Sequence, residues 1–139
     1  MQLPEGFNEF VEGWSDNESR TKQALEELLE SMKPLPGLSS DFKARPGVSY
    51  SFRILCPSVK RGLLALMDII DDEPANRWLS VCFYADLIQD PEDRGDLIPG
   101  GLLGEDGYCF DLEAYDPQAV AYLQARLQEA YQALAPDNF

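Results

Sequence analysis

The chain has 139 residues, 45% of them hydrophobic, enough for one domain with its own core and too apolar for wholesale disorder. Eleven Lys and Arg stand against 25 Asp and Glu, a net charge of −14, which excludes nucleic acid as a default partner and disfavours anionic membrane surfaces. There is no histidine, so neither a Ser-His-Asp or Cys-His catalytic group nor a histidine zinc site can be built within the chain.

Residues 5–13 predict a short helix with Phe7, Phe10 and Val11 on one side. A second helix follows. Ser15 and Glu18 have capping-box spacing, Leu25, Leu28, Leu29 and Met32 form one apolar stripe, and Pro34, Pro36 and Gly37 end it. The period then changes. Val48, Tyr50, Phe52 and Ile54 alternate with Ser49, Ser51, Arg53 and Leu55, which predicts a half-buried strand. Leu63–Ile70 and Trp78–Tyr84 read as two more strands, and Gly107–Leu112 as a fourth. The connections Pro57–Gly62 and Asp71–Arg77 are too short for parallel crossovers, so these strands are expected to be antiparallel neighbours. The stretch Asp86–Asp106 reads as one long irregular loop, of a length that usually carries function or motion. Asp116 at an N-cap and Pro117 at the first helical position open a final helix, with Val120, Leu123, Leu127, Tyr131 and Leu134 on its apolar face. The expected fold is therefore a single α+β domain over 1–139, α-α-β-β-β-β-α, a four-stranded antiparallel sheet with helices packed on one face.

No secretory signal is legible at the N-terminus, and the longest apolar run, Gly62–Met67, is too short to span a bilayer. With three cysteines and no C-x-x-C, a cytoplasmic, reducing compartment is expected, with Cys56, Cys82 and Cys109 as buried free thiols.

The charge is unevenly spread. Residues 1–70 hold 10 acids and 8 bases, whereas residues 71–139 hold 15 acids and 3 bases. In a meander the turn bearing Asp71, Asp72 and Glu73 shares an end with the strand exit bearing Asp111, Glu113 and Asp116. These six carboxylates are the candidate metal ligands, suited to a divalent cation such as iron or calcium, although no spaced calcium loop is present. A solvated acidic rim, with Asp116 only capping its helix, is the plainer reading. Asp90, Glu92, Asp93, Asp96, Glu105 and Asp106 are expected at the opposite end, beside Lys60 and Arg61.

Other features carry less. The segment Pro99–Gly107 is glycine-rich but lacks the Lys-Ser/Thr of a phosphate loop, and it reads as a turn. Its leucines, with Leu97 and Ile98, are expected either to cover a core edge or to form a partner surface. Arg94-Gly95-Asp96 matches an adhesion tripeptide by chance. Arg53 and Asp68 are placed to pair across the first hairpin, and Trp78, Tyr84 and Tyr108 to pack on the sheet.

The order of elements, with the strands Gly47–Phe52, Leu64–Asp68, Leu79–Tyr84 and Tyr108–Leu112 followed by Asp116-Pro117 and a helix, resembles the YdhG-like family of small bacterial proteins. That family includes members described as frataxin-like iron chaperones. The resemblance implies a small α+β module, with iron delivery among its roles. The residues themselves favour a non-enzymatic protein-binding or adaptor domain with a basic protein partner. A cation carrier comes second. An enzyme working by carboxylate acid–base chemistry, with Asp68, flanked by apolar strand residues, as the one acid that burial is expected to perturb, comes third.

Overall fold

The computed structural model describes residues 1–134. Three α-helices, α1 (Phe7–Gly13), α2 (Thr21–Met32) and α3 (Pro117–Leu134), accompany six strands. The strands are β1 (Ser39–Arg45), β2 (Ser49–Leu55), β3 (Leu63–Ile70), β4 (Trp78–Tyr84), β5 (Asp96–Leu102) and β6 (Glu105–Leu112), with a 3₁₀ turn at Ala85–Leu87. They form one antiparallel sheet in the order β1-β2-β3-β4-β6-β5. The expected class, α+β with an antiparallel sheet, is correct. The expected four strands are not, because the sheet has six. The four read from the sequence are its centre, in the expected sequence of neighbours, and the two that were missed are its edges.

Alternation explains the layering. Phe52, Ile54, Ala65, Met67, Ile69, Leu79, Val81 and Phe83 occupy every second position and are sealed from solvent. They meet Ala24, Leu25, Leu28 and Met32 of α2 and Val120, Leu123 and Leu127 of α3. α2 packs on α3, and the two lie over β4 and β3 respectively. α1 adds Phe7 against Phe42 and Phe52, and Phe10 against Tyr50. Antiparallel sheets tolerate one wetter face. Here that face carries Ser51, Asp68, Ser80 and Asp111 in one cross-strand row, and Arg53, Leu66, Cys82, Cys109 and Asp96 in the next.

Of the helix starts, α3 is capped by its N-cap side chain, whereas α1 and α2 begin after left-handed Gly6 and Arg20 with no N-cap side-chain bond. Asp116 caps α3 as expected, accepting from the Gln118 amide at 2.9 Å. Ser15 does not cap α2. The helix starts at Thr21, and the Asp16 carboxylate reaches its first turn, accepting from Lys22 and Gln23 amides at 3.4 and 3.3 Å. A carboxylate so placed also opposes the positive end of the helix dipole.

The stretch 86–106 is not one loop. Asp90 organises its first part, accepting from the amides of Arg94 (3.0 Å) and Gly95 (2.8 Å) and from the Tyr122 hydroxyl of α3. Gly95 is needed there, since a Cβ would stand 2.6 Å from the Phe110 ring. Arg94-Gly95-Asp96 thus serves this turn and the start of β5. The second part is the β5–β6 hairpin, closed by Leu103 and Gly104.

Cys82 and Cys109 lie directly opposite on β4 and β6 and are joined by a disulfide, with Cα atoms 4.1 Å apart. The expectation of three free thiols is corrected here: only Cys56, buried, is free. Among the described residues no helix is long and apolar enough to cross a membrane.

Candidate functional site

The expected acidic end exists as a place. Leu79 of β4 pairs with Leu112 of β6, so the β3–β4 turn and the exit of β6 lie side by side. Its carboxylates, however, have separate occupations. Asp71 is buried, 2% exposed, and accepts from the Gly47 amide at 2.8 Å and from Arg77 Nε at 2.7 Å. The Arg77 guanidinium stands 5.1, 5.7 and 5.3 Å from the ring centres of Phe10, Trp14 and Tyr50. Burial pushes the Asp71 carboxyl up, but the Arg77 hydrogen bond, the Gly47 amide and the Arg77 charge outweigh it and hold the pKa below the ordinary value. Asp72, Glu73 and Glu113 are exposed, Asp111 lies opposite Ser80 on the wetter face, and Asp116 caps α3. Among the described residues no group of three or more His, Cys, Asp or Glu side chains is placed to hold a metal ion. The six candidates share an end of the sheet and not a coordination shell.

The opposite end matches the expectation only in part. Of the six acids expected beside Lys60 and Arg61, Glu105 is bonded to Arg61. Asp90 instead bonds Tyr122 of α3, and Arg94 lies beside Asp111 and Leu112, because β5 runs antiparallel to β6 and puts the segment before it at the exit of β6. Arg61 bonds Asp86 at 2.7 and 3.0 Å and Glu105 at 2.9 Å, with its guanidinium 3.8 Å above the Tyr84 ring. The expected Arg53–Asp68 pair does not form. Arg53 makes a two-pronged bond with Asp41 on β1, at 2.7 and 2.6 Å, and Asp68 accepts from the Ser51 hydroxyl. Both are local cross-strand pairs. Of the aromatic residues expected to pack on the sheet, Trp78 and Tyr108 are half-buried and Tyr84 is buried beneath Arg61.

The surface feature that stands out is the β5–β6 hairpin. Four large apolar residues of the described chain are strongly exposed: Val48 in the β1–β2 turn, and Leu97 (50%), Ile98 (41%) and Leu103 (68%) in this hairpin. Leu102 between them turns inward and is buried. The closing turn has φ +52° at Leu103 and φ +83° at Gly104, the signature of a type I′ turn. Asn or Gly is the usual first residue of such a turn, and a leucine held in the left-handed region costs about 1 kcal/mol. Leu103 therefore carries two costs, its conformation and its exposure. Glu105 and Asp106 follow it and Asp96 opens the strand before it, all exposed; Asp106 accepts from the Gly100 amide at 2.9 Å and Glu105 holds Arg61.

The sequence presents Leu97, Ile98, Leu102 and Leu103 as one apolar group. It could not sort the inward leucine from the outward ones, because that depends on a register shift between Ile98 and Leu102. Positive φ at Leu103 has no sequence signal apart from the Leu-Gly pair itself.

Concave space is modest. A hollow of about 200 Å³ beside Tyr122 and Phe110 and a smaller one of about 120 Å³ between α1 and α2 are below the usual range of small-molecule sites, and the wider ones, about 450 Å³ along Tyr122 and Arg126 of α3 and about 560 Å³ at Arg61 and Tyr84, are open surface grooves. No protein-family model matches the chain, and searches of curated proteins and of solved structures find no significant match.

Proposed function

We propose that this chain is a non-catalytic protein-binding domain, and that it engages a basic partner carrying apolar anchors through the β5–β6 hairpin. The observation that carries the reading is Leu103: an exposed leucine in a left-handed turn position, in the same hairpin as exposed Leu97 and Ile98. Strained or exposed apolar positions that stability alone disfavours are characteristic of contact surfaces. The acids Asp96, Glu105 and Asp106 supply a mainly acidic rim, in which Glu105 is paired with Arg61. Such a rim speeds encounter with a basic surface, while the apolar centre sets the lifetime of the complex.

Capture from native lysate at stepped salt tests this with three forms of the chain. Wild type and Val48→Ser are expected to enrich the same proteins, released as salt rises. The variant Leu97→Ser, Ile98→Ser, Leu103→Ser is expected to lose them. Identical enrichment by wild type and the triple variant sinks the reading, since Val48 controls for exposed apolar surface elsewhere.

A further inference from the structure

We infer that the Cys82–Cys109 disulfide is a thiol–disulfide exchange site, attacked at Cys109 and selective for cationic aminothiols over anionic thiols. The inference is independent of the docking surface and rests on the cross-strand row. Reading across the wetter face, Leu66 of β3 lies opposite Cys82, Cys82 opposite Cys109, and Cys109 opposite Asp96. Residues directly opposite on adjacent strands project to the same side. The S–S axis of an opposed pair therefore runs across the strands.

A thiolate displaces a disulfide sulfur along that axis, so each sulfur has one line of approach. The line to Cys82 comes from β3, where half-buried Leu66 sits, and Cys82 itself is buried. The line to Cys109 comes from β5, where Asp96 is exposed, and Cys109 is only half-buried. Attack at Cys109 makes Cys82 the leaving sulfur. The Ser80 hydroxyl stands 3.7 Å from Cys82 Sγ, within reach to donate to the thiolate as it forms.

The chemistry balances with the thiol as reductant. An incoming thiolate RS⁻ bonds to Cys109 Sγ, the Sγ–Sγ bond breaks, and its electron pair departs on Cys82 Sγ, which then takes up a proton. A second RS⁻ attacks the R-bearing sulfur of the mixed disulfide, releasing RSSR and the Cys109 thiolate. The net change is two RSH oxidised to RSSR and one protein disulfide reduced to two thiols. Asp96 flanks the approach and Asp111 lies two residues from Cys109 on the same face, so a thiol with a further negative charge is repelled and an ammonium-bearing thiol is drawn in.

The oxidised full chain is treated with cysteamine or with mercaptoethanesulfonate at matched thiolate concentration, and timed samples are quenched in excess N-ethylmaleimide to cap freed thiols. Peptide mass mapping is expected to place the mixed disulfide on Cys109 and the maleimide on Cys82. At low salt cysteamine is expected to react about fivefold faster, a ratio that falls toward one at high salt and in Asp96→Asn. Ser80→Ala is expected to slow both thiols by a similar factor. Adducts mainly on Cys82, equal rates at low salt, or an unlinked Cys82 and Cys109 in the oxidised chain overturn the inference. An unchanged rate in Ser80→Ala removes the role given to that hydroxyl.

Discussion

The two terminal hairpins of the sheet are anchored and finished in opposite ways. β1–β2 pairs in unbroken register over seven residue pairs, and its outer strand carries Asp41, Lys43 and Arg45. Charged side chains on a regular edge discourage another strand from adding to it. β5–β6 shifts register between Ile98 and Leu102, and its outer strand carries Pro99, Gly100 and Gly101 among exposed apolar side chains. Proline and irregularity blunt that edge as a strand template without making it polar. The anchors differ too. The β1–β2 turn is held through the Gly47 amide by buried Asp71 and its partner Arg77. The β5–β6 hairpin is held by the disulfide and by Arg61 on Glu105. One edge is finished for silence and fixed by a buried charge. The other keeps contact surface and is fixed by a covalent bond.

That contrast can be broken at its anchors. Asp71→Ala leaves Arg77 among three aromatic rings without its carboxylate, and removing one partner of a buried pair costs about 3–5 kcal/mol. Urea unfolding is expected to show that loss, and amide exchange is expected to show the β1–β2 turn loosening before β5–β6. The converse change is Cys82→Ser with Cys109→Ser. A cross-link spanning a sequence separation of 27 residues stabilises by about 3–4 kcal/mol in the chain-entropy account. The double variant is expected to lose an amount of that order, with faster exchange concentrated in β5 and β6. Uniform loosening across both hairpins in either experiment contradicts the division of anchors.

Acid provides a milder probe of both regions. Asp71 supports the first hairpin, and Asp90 shapes the turn leading into the second. Burial pushes the Asp90 carboxyl up, but the Tyr122 hydroxyl, the amides of Arg94 and Gly95 and the charge of Arg126 outweigh it, so its pKa too lies below the ordinary value. A folded-state pKa below the unfolded one means stability that is complete above the unfolded value, near pH 4, and is lost as pH falls from there through the folded value. Unfolding midpoints are expected to stay level from neutral pH to about 5 and then to decline, and Asp71→Asn is expected to flatten part of that decline.

The smallest changes sharpen the contrast between the edges themselves. Arg53→Ala removes an exposed pair with Asp41, expected to cost under about 1 kcal/mol. Leu103→Asn is expected to go the other way. Asparagine suits the left-handed position, so the variant should gain about 0.5–1 kcal/mol while weakening partner capture. A destabilised Leu103→Asn would mean that the leucine serves the fold instead.

The centre of the fold was legible in the sequence because apolar alternation marks strands that are buried on one face. β2 and β6 show it, and β3 and β4 read as short apolar runs bounded by turns. The edges show neither. Ser39–Arg45 has only Phe42 as a large inward residue, and Asp96–Leu102 is interrupted by Pro99-Gly100-Gly101, which reads as turn. The acidic end was legible as a location, since strand direction alone sets it. Whether its acids converge depends on side-chain partners such as Arg77 and Gly47, far apart in sequence from the strand exit. The cysteines show the same limit. Each could be placed on a strand, but the pairing of Cys82 with Cys109 needs the register of β4 on β6.

The insertion of β5 between β4 and β6 in sequence, but outside them in the sheet, orders the events of folding. β5 and β6 are joined by a two-residue turn and close locally. β6 meets β4 only after the segment 85–104 has been looped out, a closure with a larger entropic cost. The hairpin therefore forms as a unit and docks on β4 late, so substitutions at the β4–β6 seam are expected to act mainly on the unfolding rate and those within β2–β3 on the folding rate.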